Sequence, residues 1–142
     1  MESKKSKLYD LHDSTVNWVS ELEFMKDEQV FLEHLLSTHF LDLSAENLYD
    51  ATRKLIRKLK EVEKLGIELY NKIHKYNNEI GEVLETKETN ENQIEKINKE
   101  YVDFKKDFEN YNVKFKYVKK KIFGLIKEIM VHHKQKLLIS KS

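Results

Sequence analysis

Apolar residues recur at alternating steps of three and four through three long runs of this chain, and no proline interrupts any of them. The first run is Leu8, Leu11, Thr15, Trp18, Leu22, Met25, Gln29, Leu32, Leu36, His39. A mean step near 3.5 gathers these side chains on one stripe of an α-helix, whereas a strand would need a period of two. The second run is Leu48, Thr52, Leu55, Leu59, Val62, Gly66, Leu69, Ile73, Tyr76, Ile80, Val83. Ile56, Tyr70 and Leu84 widen it on one flank, Ala51 and Leu65 on the other, which suits a bundle better than a bare two-stranded coil. The third run is Ile94, Ile97, Tyr101, Phe104, Phe108, Tyr111, Phe115, Val118, Ile122, Leu125, Ile129, His132. The spacing predicts helices over residues 8–39, 44–85 and 90–135 of a single all-α domain spanning 1–142.

Two short breaks separate the runs. Leu41–Leu43 reads as a turn, and Ser44 as the N-cap of the second helix, its hydroxyl accepting from an orphaned backbone N–H. Leu43 and Leu48 would staple that entry. Residues 86–92 are polar, and Asn90 with Gln93 resembles a capping box. Short turns make consecutive helices antiparallel neighbours, so the expected fold is an elongated antiparallel three-helix bundle with helices 2 and 3 extended as a coiled-coil hairpin.

Composition closes other routes. With no proline and three glycines, the chain lacks the punctuation that sheet turns need. Without cysteine it can hold no disulfide, zinc–thiolate site or thiol nucleophile. No run approaches the ~18 apolar residues of a membrane span, and residues 1–11 lack the apolar core of a signal peptide, so a cytoplasmic location is expected. No phosphate-binding loop, nucleophile elbow or di-iron Glu-x-x-His pair occurs, so neither an enzyme activity nor a cofactor is expected.

Register and charge follow from the turns. Reversals near residues 42 and 87 would pair positions whose numbers sum to about 84 in helices 1 and 2, and about 174 in helices 2 and 3. Gly66 would then face Trp18 and Phe108, the smallest stripe residue meeting two of the largest in one core layer. Gln29 and Thr52 would fall in neighbouring layers as a polar pair that fixes register. Residues 10–50 carry ten acids and one lysine, net −9; residues 51–76 are net +5 and residues 114–142 net +8. An acidic first helix would thus lie beside two basic segments. Charged positions along the helices are read as solvated, with ordinary carboxylate pKa values.

Three surfaces are candidates for function. In this register helices 2 and 3 outrun helix 1, leaving Tyr76, Ile80, Val83, Leu84, Ile94 and Ile97 on a bare hairpin tip; exposed apolar surface of that kind marks self-association or a helical partner. A flexible N-terminal segment covering the tip is the competing outcome. His39 and His132 sit at the same end of the bundle with Glu128 one turn before His132, and Asp42, His34, His133 and Glu46 nearby, a set from which helical bundles build metal sites. The blander role for such histidines is to cap the last carbonyls of helix ends. Lys114–Lys136 is basic and amphipathic and would suit a peripheral membrane surface, unless the acids of helix 1 consume its charge. The aromatic run Tyr101–Phe115 at heptad spacing is read as core rather than as a base-stacking platform, so no nucleic-acid partner is expected.

The stretch Asn17–Trp18–Val19–Ser20–Glu21 resembles the first helix of a spectrin repeat, which carries a core tryptophan in a left-handed three-helix bundle. The resemblance covers that stretch alone, and helices 2 and 3 here are longer than that family allows. The leading expectation is a non-enzymatic helical protein–protein interaction or scaffolding module, probed by its partners rather than by substrates.

Overall fold

A computed structural model of the protein describes residues 4–45, 47–86 and 90–140. These residues form α1 (Lys4–Thr38), α2 (Phe40–Ala45), α3 (Tyr49–Glu85) and α4 (Glu91–Ser140), with no strand among them. The fold is all-α. No helix of the described residues is long and apolar enough to cross a membrane.

The first reversal differs from the sequence expectation. Leu41–Leu43 is not a turn but lies inside α2, and Ser44 lies inside that helix rather than ahead of α3: its Oγ donates back to the Phe40 carbonyl at 3.0 Å. The chain turns after α2 instead. Asn47 takes a left-handed φ of 60°, and the Leu48 N–H donates to the Leu43 carbonyl five residues back at 3.1 Å. That is the Schellman way of ending a helix, and asparagine tolerates the left-handed conformation better than other residues with a Cβ. Next, the Thr52 N–H donates to the Leu48 carbonyl at 2.8 Å and opens α3. Glu46 lies outside the described residues. At the second reversal Asn90 does cap: its Oδ1 accepts from the N–H groups of Asn92 and Gln93 at 3.0 and 3.4 Å. Residues 87–89 of that turn lie outside the described residues.

Contacts gather the chain into two compact units. Unit 1 comprises the residues up to Lys26 together with Lys64–Asn112. Unit 2 comprises Asp27–Glu63 together with the residues from Val113 onward.

In unit 1, α1 and α3 run antiparallel through Thr15 with Asn77, Glu23 with Tyr70, and His12 with Gly81, pairs whose numbers sum to 92 or 93 rather than 84. The later reversal, after α2, accounts for the shift. It changes the expected core layer. Trp18 does stack on Phe108, ring centroids 5.7 Å apart, and on Tyr101 at 5.1 Å. Gly66 belongs elsewhere: a Cβ added there would meet the Tyr111 ring, whose Cζ would be 2.9 Å away, and its hydroxyl beyond it. The α3–α4 register stays near the expected value, with the Tyr76 hydroxyl donating to the Ile97 carbonyl at 2.6 Å. Burial holds the Tyr76 proton on well above the ordinary phenol range.

In unit 2 the core is Leu32, Leu36, Leu43, Leu55, Leu59, Val62, Phe115, Val118, Ile122, Ile126 and Ile129. Ile126 is buried where the heptad count put Leu125, which is only half-buried. A straight helix has 3.6 residues per turn, so a strict 3.5 count drifts off the true face. Gln29 and Thr52 are both buried, and Thr52 Oγ1 donates to the Leu48 carbonyl at 2.6 Å.

The glycines give a paired prediction. Gly66→Ala gains helix propensity but drives a methyl into the rigid, buried Tyr111, and overpacking of this kind costs ~1–3 kcal/mol. Nothing lies within 4 Å of a Cβ added at Gly124. Gly124→Ala should therefore stabilise by about 1 kcal/mol. Urea unfolding followed by circular dichroism should move the two midpoints in opposite directions.

Candidate interaction site

The apolar hairpin tip is not bare. Tyr76, Ile80, Val83, Ile94 and Ile97 are buried in one cluster with Leu8 and Leu11 of α1, and Leu84 packs against it partly buried. These apolar side chains of the tip are therefore covered, a correction with the same origin as the register. A sum near 93 carries α1 eight or nine residues further along α3 than a sum of 84, and α1 starts at Lys4 rather than residue 8. Its first turns cover the surface that seemed to need a partner. Thr15, fully buried, spends its polarity within unit 1, with Oγ1 2.6 Å from Asn77 Oδ1 and 2.9 Å from the His12 carbonyl.

The proposed metal ligands are not assembled either. Among the described residues no group of three or more His, Asp or Glu side chains could hold a metal ion. In unit 2 the carboxylate of Asp42 is the hub, 4.0 Å from His39 Nδ1 and 3.3 Å from His133 Nε2. The histidine of α4 that reaches it is His133, and His132 is half-buried. Glu128 faces a different place, a groove lined by Lys54, Lys58, Lys120 and Lys121. Two histidines on one carboxylate tie α4 to the α1–α2 corner, a structural role that needs no metal.

One opening in unit 2 was not legible in the stripe count. Leu36, Phe40, Leu41, Ile56 and Leu59 line a cavity of about 570 Å³, with Glu33, Ser37 and Lys60 completing its wall. It exists because α2 replaces the expected turn and carries two large apolar residues past the end of α1. Leu41 is 82% exposed and Phe40 38%. Such a side chain leaves apolar surface open beside the cavity.

Glu63 of unit 2 departs from the expectation of ordinary surface carboxylates. Burial, then a hydrogen bond shared with Glu33 and that carboxylate's repulsion, push its pKa from 4.5 up to about 7, and Lys60 opposes the rise. Its Oε1 is buried with no hydrogen-bond partner among the described residues. Glu33 and Lys60, the two neighbours that act on Glu63, also line the cavity. An α1–α3 sum of 92 or 93 brings residue 33 opposite residues 59 and 60, within a helical turn of Glu63.

No protein-family model, curated protein or solved structure matches the chain. The likeness of Asn17–Glu21 to a spectrin repeat gains no support from them.

The raised pKa has a stability consequence. The unfolded chain releases the Glu63 proton near pH 4.5, whereas the folded chain keeps it up to about pH 7. Folding stability therefore falls as pH rises through that window, and the penalty is complete above it. Glu63→Gln removes the ionisable group, so its stability relative to the native chain should be greater at pH 8 than at pH 5. Solvent screening of this partly exposed group reduces the difference to roughly 1 kcal/mol. Urea titrations of both chains at the two pH values check it; an equal difference at both would contradict it.

Proposed function

We propose that the protein is a non-enzymatic helical interaction module that associates with a second copy of itself through the cavity of unit 2. In this proposal the three striped helices form an antiparallel bundle in which α3 and α4 make a coiled-coil hairpin. The contact surface is the α1–α2 corner with Phe40 and Leu41, not the hairpin tip.

One observation carries the proposal. The heptad stripes are spent on internal packing, yet Leu41 stands 82% exposed beside an apolar cavity of about 570 Å³. The wall chemistry favours a second copy. Glu33 and Lys60 flank the same opening, one acid and one base. In a two-fold contact each patch meets itself reversed, so such an acid and base face each other across the interface. Leucine in the neighbour's cavity would supply the apolar anchor, with the charged rim setting orientation more than affinity.

Light scattering over a concentration series tests this. The native chain should approach twice its 17.1 kDa mass as concentration rises. Leu41→Asp should weaken association by roughly 30-fold, the effect of losing a hot spot worth ~2 kcal/mol, with helicity unchanged. A monomer at every concentration would overturn self-association. A Leu41→Asp series that overlays the native one would move the contact elsewhere.

A further inference from the structure

We propose that the outward face of α4 in unit 2 is a docking surface for anionic phospholipid membranes. This goes beyond self-association, because it concerns another surface and another kind of partner.

Three rows run along that face. Lys120, Lys127 and Lys134 recur every seventh residue and are all exposed. A seven-residue repeat is almost two full turns, so they form one line along the helix. Phe123 and Met130 make a second line at the same spacing, and Val131 and Leu138 a third on the other side of the lysines. Phe123 is 45% exposed, Met130 62%, Val131 48% and Leu138 63%. The opposite side of α4 carries the buried row Phe115, Val118, Ile122, Ile126, Ile129. Phe123 and Met130, three residues before and four after buried Ile126, extend the core outward to the lysine line, and Val131 and Leu138 lie beyond it. Exposed apolar side chains thus border a line of cations on both sides.

The acids of α1 do not consume this charge. Lys119 meets Glu28 at 2.7 Å, but among the described residues Lys120, Lys127 and Lys134 meet no carboxylate. Glu128 is the only acid between Val113 and Leu138. Lys121 and Lys58 lie over the Tyr117 ring at 5.5 and 5.4 Å, adding cations beside the same face.

The mixture of side chains selects the partner. A phosphate backbone would use the lysines but has no use for Met130, Val131 and Leu138. An anionic bilayer uses both. Lysines reach the headgroup phosphates while their stems and the neighbouring aliphatic groups enter the boundary of the acyl region. Lys120 also lines the groove that holds Glu128, while Lys127 and Lys134 continue its line along the exposed helix face, an arrangement that suits a planar surface.

Co-sedimentation of the full chain with vesicles is the test. One set is phosphatidylcholine alone, and the other is phosphatidylcholine mixed with phosphatidylserine. Binding is expected to the mixed vesicles only, and to weaken as salt is raised. Each lysine at an anionic surface is worth about fivefold in affinity, so Lys120→Glu with Lys127→Glu should lower it at least tenfold. Phe123→Ser with Met130→Ser, which leaves the charge unchanged, should lower it severalfold. Lys105→Glu with Lys106→Glu, the same charge change on the exposed surface of unit 1, should have a much smaller effect. All these positions are exposed, and circular dichroism confirms that each variant is folded. No binding to mixed vesicles at low salt would overturn the proposal, as would equal binding to both vesicle types or equal losses in the two lysine pairs. Binding to a single-stranded oligonucleotide that exceeds vesicle binding and ignores the Phe123 and Met130 substitutions would also overturn it, and would assign the face to nucleic acid.

Discussion

The register of α1 against α3 determines what every apolar residue in unit 1 can bury. It is set by how the chain ends α2. Asn47 in the left-handed region and the Leu48 N–H on the Leu43 carbonyl close that helix and send α3 back. Were the chain to reverse at Leu41–Leu43, α1 would stop short of the α3–α4 tip, and Ile80, Val83, Ile94 and Ile97 would face water. With the reversal later, Leu8 and Leu11 reach them and the cluster is closed. Burying an aliphatic side chain of this size is worth about 1.5–3 kcal/mol, so a slip that uncovers several is costly on the scale of a whole domain's stability. Thr15 with Asn77 and Glu23 with Tyr70 then fit that alignment and penalise neighbouring ones.

Helix type and face were legible in the residues; the register was not. Nearly every stripe position counted from the sequence is buried or half-buried, because apolar burial and a 3.6-residue turn leave little choice. A heptad pattern carries no comparable information on alignment. Sliding one helix past another by seven residues brings equivalent stripe positions together again, and the alignment inferred from the turn was in error by about one heptad. The complementarity of Gly66 with a large ring was a sound principle applied to the wrong partner. Tyr111, one step further along α4, fills that space, while Trp18 and Phe108 stack on each other without it.

The same error hid the groups with unusual chemistry. Glu63 directly follows stripe residue Val62, so a helical wheel places it at the edge of the core. Whether an edge carboxylate is solvated depends on what crosses it. Here Glu33 of α1 comes alongside, and burial together with that neighbouring carboxyl group raises the Glu63 pKa. The histidines illustrate the complementary failure. Residue type and helix end suggested a cluster of ligands, but the geometry delivers His39 and His133 to Asp42 and leaves Glu128 beside four lysines. Three potential ligands near one end of a bundle become a site only when their side chains converge, and helix phase decides that.

Charge in unit 2 has a meaning that pair energies do not convey. Lys119 with Glu28 is one partly exposed pair, and a pair of this kind contributes about 1 kcal/mol at most. Residues 114–142 nevertheless carry nine lysines against a single acid. If those lysines existed to hold α1 in place, they would cluster on the flank where Lys119 lies. Instead Lys120, Lys127 and Lys134 run along the outward side, where they cost electrostatic self-repulsion and gain nothing from the fold. A helix that needed only solubility could have met it with mixed charges. A line of one sign, bordered on both sides by exposed Phe123, Met130, Val131 and Leu138, is better explained by an extended anionic partner with an apolar layer beneath its charges than by any demand of the bundle itself.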